Sequence, residues 1–517
     1  MTDVHLHRRA LLLGSLSVAA TSALPGCSDA PDPVPTGSGP QGPDPTSSDP
    51  TNPTHQEAAI FDLSFTLKHR YRPFELVAPA FVAVERSGDQ LAGQSDVSMH
   101  DEGPAAPFCA VQAQVDPGEG RVVLGLASPD GDVHLFGFYD PPTQRVGIEV
   151  RVDGRTRVLR RRKVQLPPSF GLAFVVCENQ VTVLTDTDEG WQPVLTERDK
   201  VGAAIDLRQR EVLSGLRYAW GRRGEEPGLT SVSAGLFGMT GVRDQHLVQH
   251  VDGTPYVRDG YAYFTGTCAG LGFFAQAHWG VFRLDLDNPR RLEQVSQLFS
   301  SRDGLVLGDH AGQVVRDDEN DRWLVATSSW GDFSFDGVHV RHVVTEADVL
   351  TGVHVLDTVR TELPTEHSAW DPGITSIDGR WHVSFVESPS QEPFDFRPAL
   401  AAGPAGGAGI DAFDDKLELV GAATDLHQCE GPILAQVQGE WWLLASDGDD
   451  RHYPVFDLGM HRVGRLDAPY HTNIPHPQLV PLDDGGHLVV TFDGTQYAER
   501  VMGYGGHGDV LIMRSRE

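Results

Sequence analysis

The chain has 517 residues, 40% of them hydrophobic, so it has material for more than one hydrophobic core. Its 56 glycines and 35 prolines, with few long apolar helical patterns, favour a protein built of strands and turns. The formal net charge of −31 argues against a nucleic-acid partner and against electrostatic attraction to anionic lipid. Solubility is the simplest explanation of this charge, and an acidic cleft for neutral sugars or cations is compatible with it.

Residues 1–27 have the pattern of an export signal. Two arginines, Arg8 and Arg9, precede an apolar run over 11–23 that is too short to span a bilayer. The segment 24–27 resembles a bacterial lipobox, whose cysteine is acylated, and the arginine pair resembles a twin-arginine signal. The alternative is an ordinary cleaved signal. We predict an exported lipoprotein of the bacterial cell envelope, at the outer surface or in the periplasm, held to the membrane through Cys27.

The next two regions differ in composition. Residues 28–57 are rich in Pro, Asp, Ser, Gly and Thr and predict a disordered tether. Residues 58–245 alternate short apolar runs with turn signals, as in 121–127, 133–139 and 146–152. Many short strands at near-regular spacing favour a β-sandwich. Their order resembles a concanavalin-like jelly roll.

Four cysteines follow the signal segment: Cys109, Cys177, Cys268 and Cys429. Their wide spacing and the lack of a CxxC motif argue against a zinc site. Two states remain open. Export permits the disulfides Cys109–Cys177 and Cys268–Cys429, and buried free thiols are the alternative.

A strand–turn–strand unit recurs from residue 246 to the end of the chain. Each copy has a leading polar residue, a short apolar strand, a turn and an aromatic-apolar strand. The leading residues are Asp252, Asp309, Asp371, Glu430 and His476. A period of roughly 50–60 residues with a hairpin as its unit is typical of a β-propeller, and five copies predict five blades over 246–517.

Four of these five leading residues are acidic. Each alone is more often a turn residue than a catalytic group, because Asp is common in turns. In a propeller, however, the leading residues of all blades meet at one end of the axis. Glycoside cleavage needs two carboxyl groups, one protonated and one ionised, and a third acid keeps the donor protonated by like-charge repulsion. The joint pattern therefore indicates glycosidase chemistry.

Residues 246–517 resemble the five-bladed propeller glycosidases of families 43, 62, 32 and 68. The segment Glu430-Gly431-Pro432, before an aromatic strand, resembles the segment that holds the general acid of family 43. Asp371-Pro372 resembles the segment with the Asp that orients this acid, and Asp252 takes the first-blade place of the general base. The first blade departs from the common His-Asp-Pro pattern, and Asp309 is the alternative base.

The resemblance implies a catalytic domain of 246–517 that cleaves furanosyl or xylosyl bonds of a plant or microbial polysaccharide. Families 32 and 68 retain the anomeric configuration and family 43 inverts it, and the sequence leaves both open. The predicted substrate-binding residues are His310, Trp370, Trp330, Tyr470 and His476.

No cofactor is predicted to be required. The resemblance implies that a structural calcium could lie near the axis, with His476 as a candidate axial ligand. The predicted partners are a carbohydrate and, through the lipid anchor, a membrane; the protein is expected to be a monomer that binds no nucleic acid. Two functions compete with hydrolysis: non-catalytic glycan binding at the cell surface on the same scaffold, and a propeller phosphorylase or transferase. The latter needs a basic phosphate site, and no Arg or Lys cluster accompanies the acidic loops.

Overall fold

The computed structural model describes residues 58–91, 97–116, 118–223, 228–333, 337–391, 393–406, 409–497 and 506–515. The predicted export signal, Cys27 and the predicted tether lie outside these residues. The described chain is nearly all β, which confirms the predicted all-β class. Within it, no helix is long and apolar enough to cross a membrane.

The first part of the described chain contains thirteen strands. In chain order they are β1 (Ala59–Tyr71), β2 (Glu75–Ser87), β3 (Val97–Met99), β4 (Phe108–Asp116), β5 (Arg121–Ala127), β6 (His134–Asp140), β7 (Arg145–Val152), β8 (Arg155–Lys163), β9 (Phe170–Cys177), β10 (Gln180–Thr187), β11 (Gly190–Glu197), β12 (Arg217–Arg223) and β13 (Gly228–Met239). The short α-helices α1 (Asp199–Gly202) and α2 (Arg210–Ser214) lie between β11 and β12.

Twelve of these strands make two six-stranded antiparallel sheets, with the orders β11-β10-β9-β4-β13-β2 and β3-β12-β5-β6-β7-β8. The sheets pack face to face, because strand alternation gives each one an apolar face. Val111, Leu172 and Val232 from the first sheet share one buried cluster with Leu124 and Ile148 from the second. We call these two sheets the paired sheets.

The remaining strands are β14 (Val242–Leu247), β15 (Gln249–His250), β16 (Val257–Arg258), β17 (Tyr261–Cys268), β18 (His278–Asp285), β19 (Leu292–Arg302), β20 (Leu305–Leu307), β21 (His310–Asp317), β22 (Arg322–Ser328), β23 (Val340–Thr345), β24 (Gly352–Asp357), β25 (Val359–Arg360), β26 (Ser368–Ile377), β27 (Arg380–Gln391), β28 (Phe394–Ala402), β29 (Glu418–Ala422), β30 (Cys429–Val437), β31 (Glu440–Asp447), β32 (Tyr453–Phe456), β33 (Arg462–Asp467), β34 (Gln478–Pro481), β35 (His487–Gln496) and β36 (His507–Ser515).

These strands form a series of antiparallel meanders, which we call the first to fifth hairpin sheets. They begin with β14, β21, β26, β30 and β34, which we call the first strands. Each first strand pairs with the strand that returns after a turn: β17, β22, β27, β31 and β35. The third sheet, β26-β27-β28-β29, shows the unit in its simplest form.

Strand β1 closes this series. It pairs antiparallel with β36 and parallel with β33, so the fourth and fifth hairpin sheets join through it into one eight-stranded sheet. The sequence analysis placed residues 58–71 with the first region, but this strand lies with the hairpin sheets. Similarly, the first hairpin sheet starts at Val242 and not at 246. A sequence pattern predicts a strand, whereas its partner several hundred residues away is set by tertiary packing.

The four cysteines within the described chain are buried free thiols, so neither disulfide forms. Cys109 pairs with Val176 across β4 and β9, while its neighbour Phe108 pairs with Cys177. Side chains alternate between the two faces of a strand, so the Cys109 and Cys177 side chains point to opposite faces of the sheet. This geometry excludes a bond between them.

Candidate active site

The five first strands surround one narrow cavity. It is lined by residues of every first strand or of the loop just before it: Asp244, Gln245, His246, Ala311, Gly312, Asp371, Gly431, Pro432, Ile433, His476 and Gln478. Its volume of about 10 Å³ is the space of roughly one water molecule. The hairpin sheets therefore converge on a common axis, with these residues at one end of it.

A β-bulge recurs where four of the first strands reach this end. In β26, Trp370 pairs with Val386 and Gly373 with Ser384, so one extra residue stands on the first strand. The same shift occurs in β14, β21 and β30. The bulged residues Asp244, Ala311, Asp371 and Gly431 have φ between 52° and 63°. A bulge bends the strand and redirects its side chains, and here it turns them to the axis.

Hydrogen bonds between neighbouring sheets fix these bulges against one another. The hydroxyl of Thr265 donates to Gly312 O at 2.6 Å, between the first and second sheets. The backbone N–H of Asp371 donates to Ser328 Oγ at 3.0 Å, between the third and second sheets. Leu247 N donates to Gln478 Oε1 at 2.9 Å, which links the first sheet to the fifth. The axial residues are thus held by their backbones.

Asp371 and Glu430 come together at the axis. Asp371 Oδ2 accepts the backbone N–H of Gly431 at 3.3 Å, so its carboxyl lies against the residue after Glu430. The Asp371 side chain is 8% exposed, whereas that of Glu430 is 19% exposed. Burial raises the pKa of Asp371 well above its usual range. The charges of Glu430 and Asp244 act in the same direction, and His476 acts against them. Asp371 is the more buried of the two acids, and Glu430 is the more exposed.

His476 lies between the two acids. Its Nε2 is 3.6 Å from Asp371 Oδ2 and 3.8 Å from Glu430 Oε1. Burial disfavours its charged form, but Asp371, Glu430 and Asp244 outweigh burial and raise the pKa of His476 to about 9. A cationic imidazole is therefore the counter-charge that allows several carboxyl groups to share this site.

Asp244 is the third acid at the axis, and the sequence analysis missed it. It occupies the bulge of β14 that corresponds to Asp371 in β26. Its side chain is 13% exposed, and Arg243 Nε lies 3.3 Å from its Oδ2. In the sequence, Asp252 lies eight residues before Gly260 and Asp371 lies eight residues before Gly379, so the two positions looked equivalent. The first sheet, however, has the extra strands β15 and β16 between β14 and the turn at Gly260.

Asp252 lies away from the axial acids. It is exposed, and its Oδ1 accepts the N–H and the hydroxyl of Thr254 in a local turn. The adjacent Gly253 touches Thr375 and Trp441. Thr375 is four residues further along β26 than Asp371, which at about 3.3 Å per residue places this turn about 13 Å from the acids. The structure does not bring Asp252 together with Asp371 and Glu430.

Asp309 is also engaged elsewhere. Arg302 donates to both of its oxygens, Nε to Oδ2 at 2.7 Å and Nη2 to Oδ1 at 2.8 Å. The N–H of Gly331 donates to Oδ1 at 2.9 Å. The Asp309 side chain is 0% exposed. A carboxylate held by three donors without solvent contact is a structural anchor and is not placed to activate a water.

The predicted binding aromatics form a wall behind Glu430. Trp370 Nε1 donates to Glu430 Oε2 at 3.3 Å, and the rings of Trp330 and Trp370 lie 5.2 Å apart. Both are buried, at 6% and 2% exposure, as is His310, whose Nε2 donates to Phe274 O. Tyr470 accepts the hydroxyl of Ser446, the residue paired with Glu430. These side chains orient Glu430 and leave it as the most exposed acid of the site.

Among the residues that the structure describes, two groups of side chains have atoms within 4.8 Å of one another and could hold a cation: Asp371 with Glu430 and His476, and Asp447 with Asp450 and His452. The first group belongs to the axis. Carboxylate oxygens suit Ca²⁺, and the imidazole suits transition metals. The axial group contains both kinds of ligand. The imidazolium of His476 can also balance the negative charge of the two carboxyl groups without a metal ion.

No family model matches the sequence, and no curated protein matches it. Solved structures do match. An α-L-arabinanase of Penicillium chrysogenum complexed with arabinobiose has 13% identity and a TM-score of 0.34 over 68% of this chain and 91% of that one. A GH43_1 enzyme from Xanthomonas citri has 14% identity and a TM-score of 0.35 over 52% and 88%. A levansucrase mutant of Bacillus subtilis has 11% identity and a TM-score of 0.38 over 49% and 79%. Values at this level do not establish a family.

Proposed function

We propose that the protein is a glycoside hydrolase whose catalytic groups are Glu430, Asp371 and Asp244. In this proposal the five hairpin sheets are the blades of a β-propeller and the paired sheets are a concanavalin-like sandwich. One observation carries it. Three acids from three different sheets, Asp244, Asp371 and Glu430, lie near His476 at one end of the axis.

Each acid has a role that follows from its surroundings. Glu430, the most exposed, is the general acid that protonates the leaving oxygen. Asp371, which is more buried and has a raised pKa, keeps Glu430 in position through the Gly431 backbone. Asp244, which lines the axial cavity together with Asp371, replaces Asp252 and Asp309 as the proposed base. The residue type and the three-sheet origin fit acid/base cleavage of a glycosidic bond.

The substrate class we propose is a furanosyl or xylosyl polysaccharide of plant or microbial origin. We also propose that the chain is exported and acylated at Cys27, which would hold the enzyme at the envelope where such polymers are met. Labelling of cells with a fatty-acid analogue tests this part. Cys27→Ala should abolish incorporation, and unchanged incorporation would refute the anchor.

The test of the hydrolase is activity of the full chain on arabinan, xylan, fructan and galactofuranan, measured as release of reducing ends. We expect cleavage of at least one polymer, with the rate of Glu430→Gln lower by about 10²–10⁴-fold. Glu440→Gln is the matched control, because Glu440 is an exposed acid on the same hairpin. A Glu430→Gln rate equal to that of Glu440→Gln would refute the assignment of the acid.

One observation favours a second function, glycan binding without cleavage. The axial cavity of about 10 Å³ is far smaller than a sugar ring, and Trp330 and Trp370 are buried. A binding protein would keep the scaffold and bind these polymers without releasing reducing ends. Calorimetric binding with no hydrolysis on all four polymers would decide for this function.

A further inference from the structure

A groove of about 430 Å³ lies on the outer face of the sheet β11-β10-β9-β4-β13-β2, the face turned away from the core of the paired sheets. This volume is within the range of small-molecule sites. The groove belongs to a different set of sheets from the axial acids, and none of the proposed catalytic residues lines it.

The floor of the groove is a grid of polar side chains, all neutral except Glu85, which pairs with Ser233. Gln114 pairs with Ser231, and Gln112 pairs with Ser233, across β4 and β13. On the other side, Ser231 pairs with Ser87 of β2. Directly paired residues share one face of a sheet, so their amides and hydroxyls stand side by side.

A glycine beside the groove makes room for the tryptophan that forms one of its walls. On the next strand, β9, Gly171 pairs with Gln114 and lies beneath the ring of Trp191, since a Cβ there would come within 2.9 Å of that ring. Trp191 thus leans over the sheet from β11 and forms one wall. Arg86 and Gln90, at the β2 edge, also line the groove.

The polarity of this sheet face changes at the groove. The other part of the same face is apolar, where Phe108 and Phe237 pack with Phe299 of the first hairpin sheet. Because that half is already covered, the polar half is the part left for a ligand. An exposed sheet face needs no aromatic wall to be soluble, and this one has Trp191.

The chemistry of the lining selects the ligand. Amides offer a donor and an acceptor, and hydroxyls offer both, so the floor matches vicinal hydroxyl groups. The tryptophan offers an apolar face to the C–H side of a sugar ring. Arg86 is the only cation among the described lining residues, and Glu85 stands beside it, so the groove is not built for an anion.

We infer that this groove is a second carbohydrate site, which binds a short stretch of neutral oligosaccharide without cleaving it. It would hold a polysaccharide on the paired sheets, separately from the axial acids. The inference does not rest on hydrolysis, since it concerns other residues and a binding step.

The experiment is titration calorimetry of the full-length chain with xylotetraose, arabinotetraose and kestose. Every protein in this experiment also carries Glu430→Gln, so that no oligosaccharide is hydrolysed during the titration. We expect binding of at least one probe. The double variant Gln112→Ala/Gln114→Ala should weaken binding at the groove by tenfold or more, and Trp191→Ala should do the same. Gln192→Ala is the matched control, because the adjacent exposed glutamine is absent from the groove lining.

Hydrogen–deuterium exchange locates the site. The bound probe should slow exchange in β4 and β13, 108–116 and 228–239. No binding of any probe, or binding that is unchanged in the double variant, would overturn the inference, as would protection confined to the first strands of the hairpin sheets. Because the readout is binding, a protein without hydrolase activity leaves the test intact.

Discussion

Acid should weaken the contact between the paired sheets and the first hairpin sheet through one residue, His278. Its ring stacks on Phe299 at 5.4 Å and tilts against Phe108 at 5.1 Å. Neither ring nitrogen has a hydrogen-bond partner among the described residues. Burial therefore lowers the pKa of His278 to about 3. In the unfolded chain this histidine has a pKa of about 6.5, so below that pH it binds a proton that it does not bind in the folded chain.

The sign and size of the effect follow from this difference. The folded-state pKa is depressed, so stability is lost as pH falls below about 6.5 and continues to fall towards about 3. Between pH 7 and pH 5 the loss from this residue is about 2 kcal/mol, by linkage at about 1.4 kcal/mol per pH unit once the unfolded histidine is protonated.

Urea unfolding at pH 7 and pH 5 measures this loss of unfolding free energy. His278→Phe keeps a ring between Phe108 and Phe299 and removes the titration, so we expect its loss of stability over this interval to be smaller than that of the wild type by about 2 kcal/mol. His461→Phe, at an exposed histidine, controls for the loss of one imidazole. Equal pH dependence in His278→Phe and the wild type would refute the reasoning.

Three further predictions concern packing. At Gly431 φ is 63° and a new Cβ would lie 2.4 Å from the His476 ring, so Gly431→Ala should lower the free energy of unfolding by on the order of 3 kcal/mol. Gly439→Ala is the control: φ is 86° but the position is in open space, so the cost should be about 1 kcal/mol, and equal costs would contradict the close approach at Gly431. Arg302→Leu leaves Asp309 buried without its partner and should destabilise by about 3–5 kcal/mol in the same measurement, and a cost below 1 kcal/mol would show that the pair is not buried. The thiols Cys109, Cys177, Cys268 and Cys429 should react with a thiol reagent only after unfolding, because they are buried and burial raises the pKa of each, that of Cys177 to about 12; rapid reaction in the native state would contradict this.

The hairpin around Glu430 could be predicted from the sequence because its signals are local. The apolar run after Gly431, the turn at Gln438-Gly439 and the aromatic run that follows correspond to β30 and β31, Cys429–Val437 and Glu440–Asp447. Gln438 and Gly439 have positive φ, as the turn requires. Here propensity, turn chemistry and packing agree, so the position of the acid at the strand start could be predicted as well.

The proposed base could not be located in this way. Its position depends on a bulge, and a bulge has no sequence signature of its own; Asp371 and Asp244 adopt positive φ only because neighbouring sheets hold them. The excursion of β15 and β16 also broke the residue count from the turn, which made Asp252 look equivalent to Asp371. Arg243 and Asp244 lie inside β14 and are followed by Gln245 and His246, so no apolar run marked Asp244 as the start of a repeat unit.

The strand that pairs with β1 could not be predicted from the sequence either. Ala59–Tyr71 has the composition of a strand, but its register with β36 links residues more than 400 positions apart. Such a pairing depends on which edge the folded sheets leave open, and periodicity along the chain carries no information about that. The boundary between the two regions was displaced for the same reason.

Hydrolysis by Asp244→Asn and Asp252→Asn, compared on one substrate at one pH, tests the central claim most directly. Asp244 lines the axial cavity with Asp371, whereas Asp252 lies in an exposed turn and does not line this cavity. We expect Asp244→Asn to lower the rate by about 10²–10⁴-fold and Asp252→Asn to leave it unchanged. Loss of activity in Asp252→Asn with full activity in Asp244→Asn would contradict the account.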